Sequence, residues 1–422
     1  MSHVLIIEPV SSGTLLISAA HAAGHQVSVV SAGQGDRCLS DAFRDLVDTV
    51  ITVDSNDEDK VLDAVVRAHE RQPFDAILPG FEYYVPLVAR LAARLGLPGL
   101  TEAAALRLRY KNLMREALDR AGVRVPRFRA VDVSRAPDDL AADVDAATAH
   151  VGLPCVVKPV DLAGSVLVRK AATVAEVRDA VARIAECGIA DLDRGPRPLA
   201  LIEEYVQGPE YSLEGYLTAD GPSIAGVTRK RLGPEPHFVE TGHLVTAAGT
   251  GGPDADLVAY VTEAVRVLGL DTGVFHAEVR RGPHGPVLME VGARLPGDQI
   301  CTLLQLAIGL DLPAAFVTCM LGRPPRPLAP AGDGSHLADG TRAAGIRFLV
   351  RPGLTRFTEV QGLDKARDIT GYVNSALVYG PGQDIPEAAD FNGRLGWFIF
   401  TAPDAPALEA ALDEADERMR FL

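Results

Sequence analysis

The sequence predicts a protein of mixed α/β and α+β architecture with more than one domain. Its 422 residues, 47% hydrophobic and 23% charged, are enough for roughly two or three well-filled cores. The first hundred residues alternate apolar strand-like runs with helical patterns, which is typical of βαβ units around a parallel sheet. Farther along, short strands and helices follow each other less regularly, which favours α+β domains.

The N-terminal domain is predicted over residues 1–100. Its parallel βαβ series consists of strands at 4–7, 27–30, 50–53 and 76–78 and helices near 14–23 and 58–71. The loop after the first strand lacks the G-x-G-x-x-G fingerprint, so a dinucleotide site is disfavoured there.

A second domain is predicted over residues 101–321, with a smaller subdomain at about 128–206. It begins with one amphipathic helix, capped by Thr101 and stopped by Gly122, with Lys111 in its middle. The sequence at 123–128 is expected to resume as strand. Further short strands are predicted at 155–158, 199–203 and 211–217, with a loop at 191–198.

The last domain is predicted to be α+β and to cover residues 337–422. It follows the segment 322–336, in which four prolines and three glycines forbid regular structure. Strands are predicted near 343–350, 371–379 and 394–401, and helical spacing predicts a final helix around 408–419.

Composition excludes several classes of protein. A formal net charge of −15, with no long run of Lys or Arg, argues against a nucleic-acid surface. No apolar stretch approaches a membrane span, and the N-terminus lacks the cationic region of a signal peptide. Five cysteines without CxxC or Cys/His ligand spacing are expected to be buried, reduced thiols. We therefore expect a cytoplasmic protein. A homodimer is a possible assembly.

One stretch, residues 275–297, carries the strongest chemical signal. Glu278 and Glu290 lie within two apolar runs joined by the Gly- and Pro-rich turn 282–286, which predicts a hairpin. Two carboxylates facing each other across strands cost energy unless a cation lies between them. A divalent metal is the natural candidate.

The order of the remaining motifs resembles the ATP-grasp superfamily, specifically its carboxylate-amine ligases. The resemblance spans roughly residues 1–320 and is closest to the branch of L-amino-acid (dipeptide) ligases, whose closing domain the C-terminal part resembles more weakly. The motifs that carry it are Lys111, Lys158, Gly164–Ser165, Glu203–Glu210, Glu278 and Glu290–Arg294. The resemblance implies that ATP lies between two α+β subdomains.

The resemblance implies that Lys111 and Lys158 hold the phosphates of ATP, since a triphosphate needs fixed cations. The loop 161–167 would cover the phosphates with its backbone N–H groups and the Ser165 hydroxyl. The family often has a second glycine where this chain has Leu167. Solvated lysines and an ordinary β-turn are the alternatives.

The segment Glu203–Glu210 resembles the hinge of the family. There, backbone groups of the residues that match Glu204 and Val206 pair with the adenine edge, and Glu203 lies near the exocyclic amine. Glu210 would take the ribose hydroxyls, because a carboxylate accepts from both at once. A strand pair with exposed glutamates is the alternative.

Glu278 and Glu290 match the metal ligands of the family, which implies Mg²⁺, expected as two ions, with Mn²⁺ as an alternative. Many relatives have Glu-x-Asn at this point, whereas this chain has Glu290-Val-Gly292, so an amide ligand is missing. Amino-acid ligases also have the sequence Glu-x-Gly-Ala-Arg at this point, which favours a resemblance to that branch of the family.

Further residues are expected on the phosphate and substrate side of the site. Arg294 resembles the arginine that holds the carboxylate and then the acyl phosphate, and a bidentate guanidinium fits both. Either Lys230 or Arg231 would reach the γ-phosphate, and His243 resembles a substrate-side position. Asp298, taken to follow Arg294 at helical spacing, is hypothesised to bind a cation such as the α-ammonium of an amino acid.

The expected function is therefore an ATP-dependent ligase. It would join the carboxylate of an amino acid to an amine through an acyl phosphate and release ADP and phosphate, without an enzyme nucleophile. Two alternatives share these motifs: a bicarbonate- or formate-activating ligase of the biotin-carboxylase or purine-pathway type, and an ATP-binding regulator without turnover.

Overall fold

In the computed structural model of the chain, residues 1–189, 191–247, 254–323, 325 and 343–422 are described. The first part is an α/β unit around a four-stranded, fully parallel sheet of order β3-β2-β1-β4. Its strands are β1 (His3–Ile7), β2 (Gln26–Ser31), β3 (Thr49–Thr52) and β4 (Ala76–Pro79), and its helices are α1 (Thr14–Ala22), α2 (Asp41–Arg44), α3 (Glu58–Arg71) and α4 (Val85–Leu95). The predicted parallel βαβ series is confirmed. Because strand order reverses between β1 and β4, the loops at their carboxyl ends flank a crevice where α/β sheets bind ligands.

The predicted single helix between Thr101 and Gly122 is wrong. The structure has α5 (Glu102–Arg109) and α6 (Lys111–Arg120), separated by Tyr110 in an extended conformation. The Lys111 N–H donates to the carbonyl of Val160 at 2.9 Å instead of continuing the helix. Lys111 is therefore the first residue of α6, not a mid-helix residue, and its backbone is tied to a loop of the next subdomain.

A smaller α+β unit follows, with an antiparallel sheet of order β5-β8-β6-β7. Its strands are β5 (Phe128–Asp132), β6 (Cys155–Pro159), β7 (Arg169–Ala171) and β8 (Leu199–Glu204), and its helices are α7 (Pro137–Val151) and α8 (Val174–Glu186). The strand expected from residue 123 begins only at Phe128, because Pro126 has no N–H to donate to a sheet. The residues 191–198 form a loop, as predicted, with one isolated bridge between Asp191 and Arg194.

The third and largest sheet has eight antiparallel strands in the order β13-β12-β9-β10-β11-β14-β17-β16. They are β9 (Glu210–Thr218), β10 (Gly221–Leu232), β11 (Glu240–Ala247), β12 (Val274–Gly282), β13 (Gly285–Gly292), β14 (Ala343–Leu349), β16 (Tyr372–Leu377) and β17 (Gly396–Ala402). The predicted boundary at 322–336 thus separates strands that share one sheet, since β11 pairs directly with β14. The C-terminal segment, residues 343–422, extends the sheet that carries the predicted metal ligands.

The remaining elements complete both sides of this sheet. They are α9 (Ala255–Leu268), α10 (Ile300–Ile308), α11 (Leu312–Met320), α12 (Leu363–Arg367), α13 (Ala405–Arg418), and the short strands β15 (Val360–Gln361) and β18 (Arg420–Phe421). Among the described residues, no single helix is long and apolar enough to cross a membrane, although α10 and α11 together meet that test as a pair bent by 104°. Most of the predicted irregular segment, residues 324 and 326–336, lies outside the described residues.

All five cysteines are free, but the prediction that they are buried is only partly correct. Cys155, Cys301 and Cys319 are buried, Cys187 is half-buried and Cys38 is exposed. Burial raises the pKa of the Cys155 thiol to about 11, so it stays protonated at neutral pH. Its strand position in an apolar core accounts for it as a small hydrophobic residue.

Candidate functional site

A deep cavity lies between the small sheet and the eight-stranded sheet. Its volume is about 210 Å³. Apart from Arg231, the alternative to Lys230, every residue assigned above to ATP, metal or substrate contributes to its wall: Lys111, Lys158, Ser165, Glu203, Glu204, Val206, Glu210, Lys230, His243, Glu278, Glu290, Arg294 and Asp298. The fold brings all of them together, while the role of each stays a prediction.

The predicted hairpin is confirmed and places its two acids side by side. Glu278 and Glu290 are direct cross-strand partners of β12 and β13, next to a bulge at Val279. Lys230 donates to Glu278, and Lys111 Nζ lies 2.9 Å from Glu290 Oε2. Each of the two carboxylates thus has its negative charge compensated by a lysine.

The environment of these acids differs on the two strands. Burial opposes ionisation of Glu278, but Lys230 and His276 hold its pKa well below the ordinary value. Burial raises the pKa of Glu290, although Lys111 lies beside it. The two carboxylates therefore form an asymmetric pair, with the stronger cationic support on Glu278.

The donor set fits a hard divalent cation. The Glu278 and Glu290 side chains are 24% and 18% exposed and both line the cavity, and carboxylates combined with phosphate oxygens and water are what Mg²⁺ prefers. At Gly292, where the amide is missing, a Cβ would lie 3.3 Å from Arg294 Nε, a tight contact that the arginine side chain would have to relieve by a small shift.

At the predicted nucleotide end, Lys158 and Glu203 form a buried ion pair that also includes Arg115. Burial would raise the pKa of Glu203, but Arg115 and Lys158 hold it low. Burial lowers the pKa of Lys158. Arg115, which is fully buried on α6, was not predicted, and it fixes the Glu203 carboxylate from the side away from Lys158.

The hinge links the two sheets. The Glu204 N–H donates to the Arg127 carbonyl at 2.8 Å, and the Val206 carbonyl accepts from Arg280 Nη1 at 3.1 Å. Arg280 also donates to Glu210 Oε2 at 2.8 Å. The predicted ribose acceptor is thus held in place by an arginine that the sequence analysis did not identify, and its second oxygen lies 3.8 Å from Lys230.

The predicted phosphate flap is the loop between β6 and β7. Gly164, Ser165 and Leu167 all have positive φ, at 66°, 61° and 59°. Leu167 therefore keeps the left-handed conformation that the family's second glycine would adopt easily. A Cβ on Gly164 would lie 2.8 Å from the Phe391 ring, so this glycine permits a close contact between the flap and the C-terminal segment.

The structure resolves which residue of the pair 230–231 faces the cavity. Neighbouring residues of β10 point to opposite faces of the sheet. Lys230 is buried and contacts Glu240 and Glu278, whereas the half-exposed Arg231 pairs with Asp413 at 2.8 Å. Burial alone would lower the Lys230 pKa, but the surrounding carboxylates raise it well above its ordinary value, so it remains a cation.

Arg294 is held by an acid of the N-terminal unit. Its Nε and Nη2 donate to one oxygen of Glu82 at 3.0 and 2.8 Å, and its Nη1 donates to the Leu295 carbonyl. Arg109 pairs with the other oxygen of Glu82 at 3.4 Å. Burial would raise the pKa of Glu82, but Arg294, Arg109 and Lys111 lower it to about 2. Glu82 was missed because nothing in its local sequence links it to a residue 212 positions away.

The predicted helical spacing from Arg294 to Asp298 is wrong, because α10 begins only at Ile300 and Asp298 has a φ of 54°. Both side chains nevertheless line the cavity. Asp298 accepts from His243 Nε2 at 3.0 Å and from Arg394 Nη1 at 2.7 Å. Arg394 also donates to Glu240 at 3.0 Å.

Burial would raise the Asp298 pKa, but Arg394 and His243 hold it well below its ordinary value. Ligand atoms of Glu240, His243 and Asp298 lie within 4.8 Å of one another, a spacing at which a small cation can be shared. Arg394, which no sequence pattern pointed to, supplies positive charge to that group.

Comparison with known proteins agrees with this geometry. Residues 151–302 match the ATP-grasp domain, residues 17–99 the ATP-grasp N-terminal domain, and residues 347–421 the L-amino acid ligase C-terminal domain 2. Dapdiamide A synthase of Enterobacter agglomerans is 27% identical over 96% of this chain and 92% of its own length. Carnosine synthase 1 of Gallus gallus is 31% identical over 74% of this chain, which spans only 36% of that protein.

The fold is shared with a solved L-amino acid ligase from Bacillus licheniformis. That structure aligns with a TM-score of 0.77 and 20% identity over 100% of this chain and 98% of its own. The match of the C-terminal segment to an L-amino acid ligase domain disfavours the bicarbonate, formate and regulator alternatives. The chain belongs to the ATP-grasp ligases and carries the C-terminal domain of the L-amino acid ligases.

Proposed function

We propose that this enzyme joins the carboxylate of one amino acid to the amine of a second through an acyl phosphate. The observation that carries the proposal is the continuity of the cavity. The hinge residues Glu203–Glu210, the carboxylate pair of Glu278 and Glu290, and the side chains of Arg294 and Asp298 all contribute to the same cavity. A nucleotide and an acyl donor can therefore bind next to each other in one cavity.

The nucleotide end would bind ATP through the hinge and the lysines. Glu204 and Val206 would pair with adenine through their backbone groups, and Glu210, oriented by Arg280, would accept from the ribose hydroxyls. Lys111, Lys158 and Lys230 would turn from their present carboxylate partners toward the phosphates, with Ser165 covering them from the flap. The nearby acids keep these lysines positioned before the nucleotide arrives.

Glu278 and Glu290 would hold magnesium, proposed as two ions, which supplies charge neutralisation for the phosphates when bound. Manganese has the same preference for carboxylate oxygens. In the reaction, a carboxylate oxygen of the acyl donor forms a bond to the γ-phosphorus while the bond to ADP breaks. The amine nitrogen then bonds to the acyl carbon, phosphate leaves, and the nitrogen loses a proton.

Arg294 would bind the carboxylate and then the acyl phosphate, with Glu82 fixing the direction of its guanidinium. Asp298 and Glu240 would bind the α-ammonium of the acyl donor, with His243 orienting Asp298. The Nε2 atom of His243 lies 3.0 Å from Asp298 Oδ2 and 3.9 Å from Glu240 Oε2, so the two acids lie close enough together to share one cation.

The proposal is tested by trapping the acyl phosphate. Purified enzyme is incubated with Mg-ATP, hydroxylamine and each amino acid in turn, and ADP and amino-acid hydroxamate are measured. Mixtures of two amino acids are then analysed by mass spectrometry for a product of their summed mass less one water. We expect hydroxamate and a dipeptide for at least one acyl donor.

Glu290→Ala should abolish ADP release without unfolding the protein, because it removes one of the two proposed metal ligands. Glu409→Gln, on the exposed face of α13, is the matched control and should keep full turnover. Turnover retained in Glu290→Ala would contradict the metal assignment. ADP release that depends on bicarbonate or formate, and on no amino acid, would contradict the function.

A further inference from the structure

Arg394 is a charged side chain that the C-terminal segment contributes to the cavity. Only 8% of it is exposed. Its Nη1 donates to Asp298 Oδ1 at 2.7 Å and its Nη2 to Glu240 Oε2 at 3.0 Å. These are the two acids proposed above to bind the α-ammonium of the acyl donor. The guanidinium therefore lies beside the place that a substrate cation would occupy.

The guanidinium is held there on a second side. Its carbon lies 3.9 Å from the ring centre of Phe348, a buried residue of β14, in a cation–π contact. Within the described part of the chain, the buried Arg394 Nε has no hydrogen-bond partner. Displacing the guanidinium would leave the partly buried Asp298 and Glu240 without this cationic partner, which is costly, so a substrate shares the acids with it.

The remaining oxygens show what is left for a substrate. Asp298 uses Oδ1 for Arg394 and Oδ2 for His243, and Glu240 uses Oε2 for Arg394 and Oε1 for Lys230. Each carboxylate oxygen has two lone pairs and can accept one more donor. The acids can therefore bind an ammonium while Arg394 stays in place.

The charges of these groups leave room for one substrate cation. Asp298, Glu240 and Glu278 carry three negative charges. Arg394, together with Lys230, which Glu240 and Glu278 share, cancels two of them. One negative charge remains, which one ammonium group neutralises. A second cation on the substrate would lie in a neutral, desolvated pocket next to a guanidinium, where like charges repel strongly.

We propose that Arg394 selects acyl donors that carry a single ammonium group and rejects diamino acids. This inference rests on the proposed function, because it concerns the substrate of the same site. Arg394 acts as a specificity determinant and takes no part in bond formation, so its effect falls on KM for the acyl donor more than on kcat.

The test compares hydroxamate formation from L-alanine, 2,4-diaminobutyrate and L-lysine in the presence of Mg-ATP and hydroxylamine. In Arg394→Met the ratio of kcat/KM for a diamino acid to that for alanine should rise at least about tenfold, because a like-charge contact is removed. Arg394→Lys keeps the charge and should keep the wild-type ratio. Arg229→Met, which replaces an exposed arginine paired with Glu409, is the matched control and should leave kcat/KM unchanged for both kinds of substrate.

Asp298→Asn provides a second, opposite readout. It makes the site neutral before substrate binds, so the same ratio should fall below the wild-type value. General structural damage would lower kcat/KM for both substrates in both variants, but it would not shift the ratio in opposite directions. An unchanged ratio in Arg394→Met, or a shift of the same size in Arg394→Lys, would overturn the inference. If the wild-type enzyme makes hydroxamate from no amino acid, it is the proposed function that fails.

Discussion

Replacing Glu82 by Gln tests whether an acid of the N-terminal unit positions the arginine at the acyl end. Glu82 is 1% exposed and neutralises two arginines, accepting from Arg294 at 2.8 and 3.0 Å and from Arg109 at 3.4 Å. Removing one partner of a buried ion pair costs roughly 3–5 kcal/mol. Glutamine keeps one carbonyl acceptor for Arg294, so we expect a loss near the lower end, about 3 kcal/mol.

The same contacts determine the expected effect on catalysis. Without a charged acceptor, the Arg294 guanidinium is free to rotate away from its fixed direction, and a displacement of about 1 Å at a reacting group costs on the order of 100-fold in rate. We expect kcat/KM for the acyl donor to fall by about that factor.

Urea unfolding, followed by the fluorescence of Trp397, the single tryptophan, measures the first effect. Hydroxamate formation measures the second. Glu58→Gln is the matched control in the same unit: its pair with Arg90 is about 40% exposed on both sides, so we expect a change below about 1 kcal/mol. If the free energy of unfolding of Glu82→Gln lies within about 1 kcal/mol of the wild-type value, and kcat/KM stays within a few-fold, the proposed positioning role of Glu82 is wrong.

Three further predictions follow from single contacts. Lys230→Met should abolish ADP release, because it removes a buried cation shared by cavity acids, whereas Arg231→Met on the opposite face of β10 should keep it. Gly164→Ala should raise KM for ATP about tenfold or more, since its Cβ would meet the Phe391 ring at 2.8 Å and φ is +66°; an unchanged KM would show that the flap shifts freely. Burial lowers the pKa of His3 below 6.5, so the folded state favours the neutral imidazole. The stability that this preference contributes is fully present above pH 6.5 and is lost as the pH falls below that value. His3→Gln should flatten the loss of stability seen by urea unfolding between pH 7 and 5, and an equally steep loss in the variant would contradict this.

Predictions of secondary structure were most reliable where the spacing of apolar residues and the residues at the turns indicate the same element. The strands of the N-terminal unit, the hairpin of Glu278 and Glu290 and the final helix all follow from apolar spacing and from glycine and proline at the turns. The helix across Tyr110 was predicted wrongly for a physical reason. Its spacing suits one helix, but Lys111 gains a tertiary hydrogen bond to Val160 when the helix breaks.

The sequence alone determined the family resemblance, the order of the units and the set of side chains that could hold a phosphate, a metal and a carboxylate. Those motifs are local, because each hinge, flap or hairpin carries its own residues within about ten positions. The tertiary structure alone decided which charges meet. Glu82 reaches Arg294, Arg115 reaches Glu203, and Arg394 reaches Asp298 only because separate units pack around one cavity. Ion pairs across such distances leave no spacing signal in the chain, since Coulomb attraction depends on separation in space and not on separation along the sequence.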